Sequence, residues 1–347
     1  MRFIGRKNAL LDFIEAPLIK NKITDGKFCD IFSGTTVVAQ HFKKKGFKVI
    51  SNDYMYFSYV FQKTYIENNS VPNFKKLLSI GNNPDLETVL DYLNNLKGKK
   101  GFMFKNFCVK GSKNSEFERN YFSAENAMKI DVIRETIESW KNDKLVSETE
   151  FYVLLTTLIE AIPFVSNISG TYGAFLKIND TRMFKTITLK IPELIKSKKS
   201  NLANFSDSNE LIKKIKCDVL YIDPPYNSRQ YPSNYHMLET VAVWDKQLLD
   251  TKTGLRPWSN QKSLYCSKVK CTDIFEDLID NADCKYILFS YNTEGIIPYD
   301  EIMRILESKG KVKVYKKDYL RFKSNSKKSN VEKLVQELLF FVTVTSR

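Results

Sequence analysis

At 347 residues, 43% of them hydrophobic, the chain can bury a sizeable core, which argues against disorder of the whole and allows two or three domains. Its net charge of +14 favours a polyanionic partner, because each phosphate neutralised releases a counterion, although lysine-rich surfaces alone also produce such a surplus. Six scattered cysteines (Cys29, Cys108, Cys217, Cys266, Cys271, Cys284) with no CxxC pair, and only two histidines, argue against a disulfide scaffold or a zinc site, so no metal is expected.

The start, MRFIGRKNALL, lacks the apolar stretch of a signal peptide. Residues 27–32, KFCDIF, read as a buried strand entering the loop Ser33-Gly34-Thr35-Thr36, a helix follows through VVAQHFKKK, and FKVISND reads as a second strand with an acidic end. This strand–loop–helix–strand unit predicts an α/β fold with a doubly wound, mostly parallel sheet. From 60 to 184 the pattern changes. PDLETVLDYLNNL, SAENAMKIDVIRETIESW and ETEFYVLLTTLIEAI carry apolar residues at helical spacing, which predicts a mainly helical insertion. Residues 97–119 within it hold seven basic and two acidic residues, interleaved with Phe102, Phe104, Phe107 and Phe117. The most apolar run, Val153 to Val165, is broken by Glu160 and too short to span a bilayer, so no membrane partner is expected. Strand patterns return in CDVLYIDPPY, KYILFSYN, KVKVYKKDYLRF and ELLFFVTVTS, the last two fit for an antiparallel hairpin. Residues 309–328, with nine basic residues and one acid, read as a solvated loop. The expected division is a core of residues 1–59 and 185–347 around an insertion of 60–184.

The sharpest chemical signal is Asp223-Pro224-Pro225-Tyr226 directly after the apolar run Val219 to Ile222. Two prolines cannot extend a central strand, so they turn the chain at its carboxyl end, where open α/β sheets bind ligands. The turn fixes a carboxylate, a carbonyl and an aromatic ring close together. Asp223 and the Pro224 carbonyl can accept two hydrogen bonds from an exocyclic amine, and the Tyr226 ring can stack on a base taken out of the duplex. The alternative is a structural turn with Tyr226 in the core. The second signal is Asp30-Ile31-Phe32-Ser33-Gly34-Thr35, followed 23 residues after Asp30 by Asp53. One glycine at a strand–helix turn admits a ligand to the backbone, and an acid ending the next strand suits ribose hydroxyls. Neither GxGxxG nor GxxxxGK[ST] is present, against a nicotinamide dinucleotide and a P-loop ATPase.

Together these motifs resemble the adenine-N6 DNA methyltransferases of restriction–modification systems, in the subgroup modifying asymmetric sites, over nearly the whole chain. RFIGRKNALLDFI is similar to their N-terminal cofactor-side motif with Lys7 at its lysine position. DIFSGTT is similar to the methyl-donor loop, FKVISND to the ribose-binding strand, and FSDSNELI to the segment whose acid, here Asp207, lies against the donor's adenine. DPPYNSRQYPSNYHMLET, FSYNTEG and LLTTLIEAIPFVSNISGTYGAFLK also look like that subgroup. The resemblance implies S-adenosylmethionine as methyl donor, held by Lys7, Asp30, Phe32, Ser33, Gly34, Thr35, Thr36, Asp53 and Asp207. It implies catalysis at Asp223, Pro224, Pro225 and Tyr226, by direct displacement and without a covalent enzyme intermediate. It also implies double-stranded DNA as partner, a cytoplasmic place on the nucleoid, and room for a cognate restriction endonuclease. Thr36 stands where such loops commonly carry a second glycine, and its β-branched side chain restricts the backbone there. DNA contacts are expected from Arg229, Tyr231, Asn234, Tyr235 and His236 after the tetrad, and from Lys99, Lys100 and Lys105 in the insertion. Gly170-Thr171-Tyr172-Gly173 and the stretch from Arg256 to Lys270 are both candidates for reading base edges. RNA adenine, cytosine N4, a protein glutamine, or DNA binding without catalysis stay open as alternatives, although glutamine enzymes generally carry NPPY and N4-cytosine enzymes SPPY.

Overall fold

A seven-stranded mixed sheet organises the computed structural model, which describes residues 7–249, 251–320 and 334–345. The strands are β1 (Lys27–Asp30), β2 (Lys48–Asp53), β3 (Leu202–Phe205), β4 (Val219–Ile222), β5 (Tyr286–Asn292), β6 (Gly310–Leu320) and β7 (Leu334–Val344). Their order is β3-β2-β1-β4-β5-β7-β6, with β1 to β5 parallel and β7 antiparallel to both β5 and β6. The last pair is the hairpin that its two apolar runs predict. Helices cover both faces, as parallel sheets require, and β4 is buried along its whole length because it lies at the centre. Phe28 of β1 stacks on Phe42 of the helix Val37–Lys44 at 3.9 Å, and Leu220, Ile222, Phe275 and Phe289 fill the same sheet's core. The strand order reverses between β1 and β4, the position in such sheets where two connections part and leave a crevice.

The chain forms two compact units. Among the described residues, one holds this sheet and takes residues 7–67, 195–231 and those from 260 onward; the other is helical and takes residues 68–194 and 232–259. In the helical unit Ala124–Asn142 and Glu148–Ala161 are the long helices, the second opened by a capping box in which Ser147 and Glu150 satisfy each other's backbone N–H groups. Two buried arginines tie residues 232–259 to those helices. Arg134 Nε donates to the Val241 carbonyl at 2.7 Å, and Arg119 Nη2 to the Thr251 carbonyl at 2.8 Å. The basic stretch 97–119 therefore includes one arginine that serves packing. Phe104 and Phe107 are likewise buried, on a short helix (Phe102–Phe107) whose first amides donate to the Asp131 carboxylate. Lys99, Lys100 and Lys105 remain exposed, Lys99 with its ammonium 3.1 Å from Glu135. Among the described residues no helix is long and apolar enough to cross a membrane. Lys327 and Lys328 lie outside the described residues.

Candidate active site

Four acids stand at the carboxyl ends of four neighbouring parallel strands: Asp207 after β3, Asp53 ending β2, Asp30 ending β1 and Asp223 directly after β4. Each reaches the same edge of the sheet because its strand ends there. β4 ends because Pro224 and Pro225 have no N–H to continue the ladder.

At that stop the Asp223 side chain is 17% exposed, and the half-buried Tyr226 ring meets Tyr291 edge-on at 5.8 Å. Lys7, on a short 3-10 turn (Lys7–Leu10), places its ammonium 3.2 Å from Asp223 Oδ1 and 2.5 Å from Glu337 Oε1. Ser290 Oγ donates to the same Glu337 oxygen at 2.9 Å. Burial works against the Lys7 charge, but Asp223 and Glu337 outweigh it and hold the ammonium well above its usual pKa. Burial pushes Asp223 up to about 6 against the pull of Lys7, with Glu337 adding to the rise. The Tyr226 hydroxyl is pushed up to about 12 by burial, so it is a neutral phenol at neutral pH.

The loop after β1 is built as tightly. Asp30 is buried; its Oδ2 accepts the Ala39 N–H at 3.2 Å and its Oδ1 has no partner. Burial, then the carboxylates of Asp223 and Asp53, raise its pKa well above the ordinary range. Ser33 Oγ donates to the Asp30 carbonyl at 2.8 Å, and Phe32 packs edge-on against Tyr265. Gly34, at φ 49°, donates its N–H to Asp53 Oδ2 at 2.8 Å, while Asp53 Oδ1 accepts the Met55 N–H at 2.9 Å. Thr35 is half-buried. Asp207 caps the short helix Ser208–Ile212, accepting the N–H groups of Asn209 and Glu210.

Thr36 adopts φ 60°, the left-handed conformation that costs an ordinary L-residue roughly 1–2 kcal/mol. Its hydroxyl offsets part of this, donating to the Thr35 carbonyl at 2.7 Å and accepting from Gln40 Nε2 at 2.9 Å. Thr36→Gly removes the strain together with these bonds, so its melting temperature should stay near wild type. Thr36→Ala loses the bonds and keeps the strain, costing about 1–2 kcal/mol. Thermal unfolding that ranks Ala above Gly contradicts this account.

The chain matches the family described as D12 class N6 adenine-specific DNA methyltransferase over residues 3–305. The chain belongs to this family. It is 44% identical, over 99% of its length, to the Type II methyltransferase M.FokI of Planomicrobium okeanokoites, and 43% identical over 99% to the modification methylase StsI of Streptococcus sanguinis. It spans only 52% of each of those two proteins. It is 38% identical to the Type II methyltransferase M.NlaIII of Neisseria lactamica, over 94% of its own length and 93% of that protein's.

A D12 methyltransferase implies S-adenosylmethionine as donor, and the residues present fit it. The donor carries a sulfonium and an ammonium, both cationic. The edge of the sheet offers a buried Asp30 oxygen with no partner beside two further carboxylates, a field that a cation relieves. Among the described residues no group of three or more His, Cys, Asp or Glu side chains is placed to hold a metal.

Two of the residues expected to face DNA are placed otherwise. Tyr235 and His236 are buried, His236 donating from Nε2 to the Tyr172 carbonyl at 2.9 Å, with burial lowering its pKa to about 4. Tyr121 Oη donates to that carbonyl as well, at 2.7 Å, and Tyr172 itself is buried, so these rings fix the Gly170–Gly173 loop from beneath. Arg229 is exposed, whereas Tyr231 and Asn234 are half-buried. Sequence reading missed Glu337 and Ser290. The available signal was a lone acid inside the apolar run LVQELLFFV.

Proposed function

We propose that this chain transfers a methyl group from S-adenosylmethionine to the exocyclic N6 of an adenine flipped out of double-stranded DNA. The observation that carries this reading is the Asp223–Tyr226 turn, which presents a carboxylate with spare acceptor capacity and an aromatic face beside the loop that ends β1. When bound, the donor supplies an electrophilic methyl group. Asp223 and the Pro224 carbonyl accept the two amine hydrogens, which aims the nitrogen lone pair away from the turn. Tyr226 covers one face of the base. As the new N–C bond forms and the sulfur keeps the electron pair of the broken one, N6 becomes acidic. A carboxylate held near pKa 6 is matched to take that proton at neutral pH. The partner implied is a restriction endonuclease whose site the methylated adenine protects.

Incubation with labelled donor and duplex DNA, followed by digestion and mass spectrometry, tests the reading. N6-methyladenine is expected. Label found only as N4-methylcytosine, or only in RNA or protein, overturns it.

DNA contact is assigned to the insertion, residues 60–184, the candidate target-recognition region, because its lysines 99, 100 and 105 are exposed along a basic stretch suited to phosphates. Charge reversal at all three should weaken binding to every DNA sequence about equally and flatten the salt dependence of affinity by roughly 0.9 for each phosphate no longer neutralised. Reversal of Lys327 and Lys328 should change the slope less. Affinity measured against salt decides, and a larger change from the second pair sinks the assignment.

A further inference from the structure

The lysine that faces the catalytic turn is shared unequally between two carboxylates, the buried Glu337 and the half-buried Asp223. Lys7 Nζ is 2.5 Å from Glu337 but 3.2 Å from Asp223, and the Asp223 oxygen it approaches is buried without a well-directed hydrogen bond. Ser290 adds a second donor to the same Glu337 oxygen, which fixes that carboxylate in place. Glu337 sits on β7, beyond the matched family region that ends at residue 305. A buried acid in an otherwise apolar strand is costly unless it pairs, and here its pairing has a geometric consequence for the turn.

Resting on the reading above, we infer that Glu337 is a positioning residue for methyl transfer: it draws Lys7 away from Asp223 and so keeps the Asp223 carboxylate available to the substrate amine. Without the Glu337 charge, the ammonium has one anionic partner left within reach. It closes on Asp223, takes an acceptor position there, and stabilises the ionised carboxylate more strongly. Two effects follow. The amine loses a well-placed acceptor, and the carboxylate becomes a weaker base for the proton that N6 must release.

The groups facing Asp223 all bear on the sign. Lys7 favours its ionised form; Glu337 opposes it, and the Asp30 carboxylate and the Tyr221 and Tyr226 hydroxyls interact with it through space. Removing Glu337 and drawing Lys7 closer both favour ionisation. The acid limb of activity, where Asp223 becomes protonated and turnover falls, therefore moves to lower pH.

The test compares Glu337→Gln and Glu337→Asp with the wild-type chain in the same DNA methylation assay. Glu337→Gln should lose roughly 10- to 100-fold in kcat at neutral pH, and the acid limb should shift downward by about one pH unit or more. Glu337→Asp, which keeps the charge on a shorter arm, should fall between. Loss of turnover with the acid limb unmoved makes Glu337 a merely structural residue and overturns the inference, as does unchanged turnover. Should the Gln variant fail to fold, the Asp variant alone decides, since an acid limb at the wild-type pH overturns the inference. A wild-type chain that makes no N6-methyladenine is a different result and overturns the proposed function instead.

Discussion

Asp223→Ala is expected to lower turnover on duplex DNA by a factor on the order of 10² or more while leaving donor binding nearly intact. The carboxylate is the only group at the turn with both acceptor capacity and a pKa, about 6, suited to taking a proton at neutral pH. Its loss leaves the Pro224 carbonyl to hold the amine alone. It also frees Lys7, which Glu337 retains at 2.5 Å, so the fold should survive. Asp223→Asn separates the two roles: it keeps an acceptor oxygen but loses the base. It should recover part of the orientation and none of the proton transfer. Single-turnover kinetics on pre-bound DNA and donor measure this directly. Near-normal turnover in Asp223→Ala means the active site lies elsewhere.

How much of this was legible in the sequence follows from how far each feature reaches along the chain. β1, β2, β4 and β5 could be read because each is a short apolar run closed by its own turn chemistry, and the acids ending three of them could be read for the same reason. β3 could not. Its residues LANF form an edge, with Leu202 and Phe205 facing outward, 44% and 47% exposed, so no buried face imprints a period-two pattern. The grouping of residues 232–259 with the helical unit was equally hidden. It depends on Arg119 and Arg134 reaching backbone carbonyls more than a hundred positions away, and backbone carbonyls carry no residue signature. Tyr235 and His236 looked polar enough for a surface, yet both are buried, and the polar atom that explains the burial of His236 is a main-chain carbonyl, that of Tyr172 in the Gly170–Gly173 loop. Glu337 is the same lesson inside the site. Its partner Lys7 lies 330 residues away, and only the folded sheet shows that they meet.

Asp53→Ala should weaken S-adenosylmethionine binding by about 1–3 kcal/mol, the usual cost of stranding polar groups that lose a charged partner. Two losses add here. Asp53 ends β2 at the edge where nucleotide-binding sheets hold ribose hydroxyls, so its carboxylate is the acceptor assigned to the donor's sugar. The same carboxylate accepts the Gly34 N–H at 2.8 Å and the Met55 N–H at 2.9 Å, which fixes the left-handed turn of the β1 loop. Without it, the Gly34 amide loses its anchor, and the loop must be ordered by the donor at a cost in affinity. Asp53→Asn discriminates between the two. It keeps an acceptor oxygen for one amide but removes the charge, so its affinity should lie between Ala and wild type. Calorimetry without DNA reads the donor alone. An unchanged dissociation constant in Asp53→Ala means that the end of β2 does not hold the ribose, and the donor must then be placed by the β1 loop and Lys7 instead.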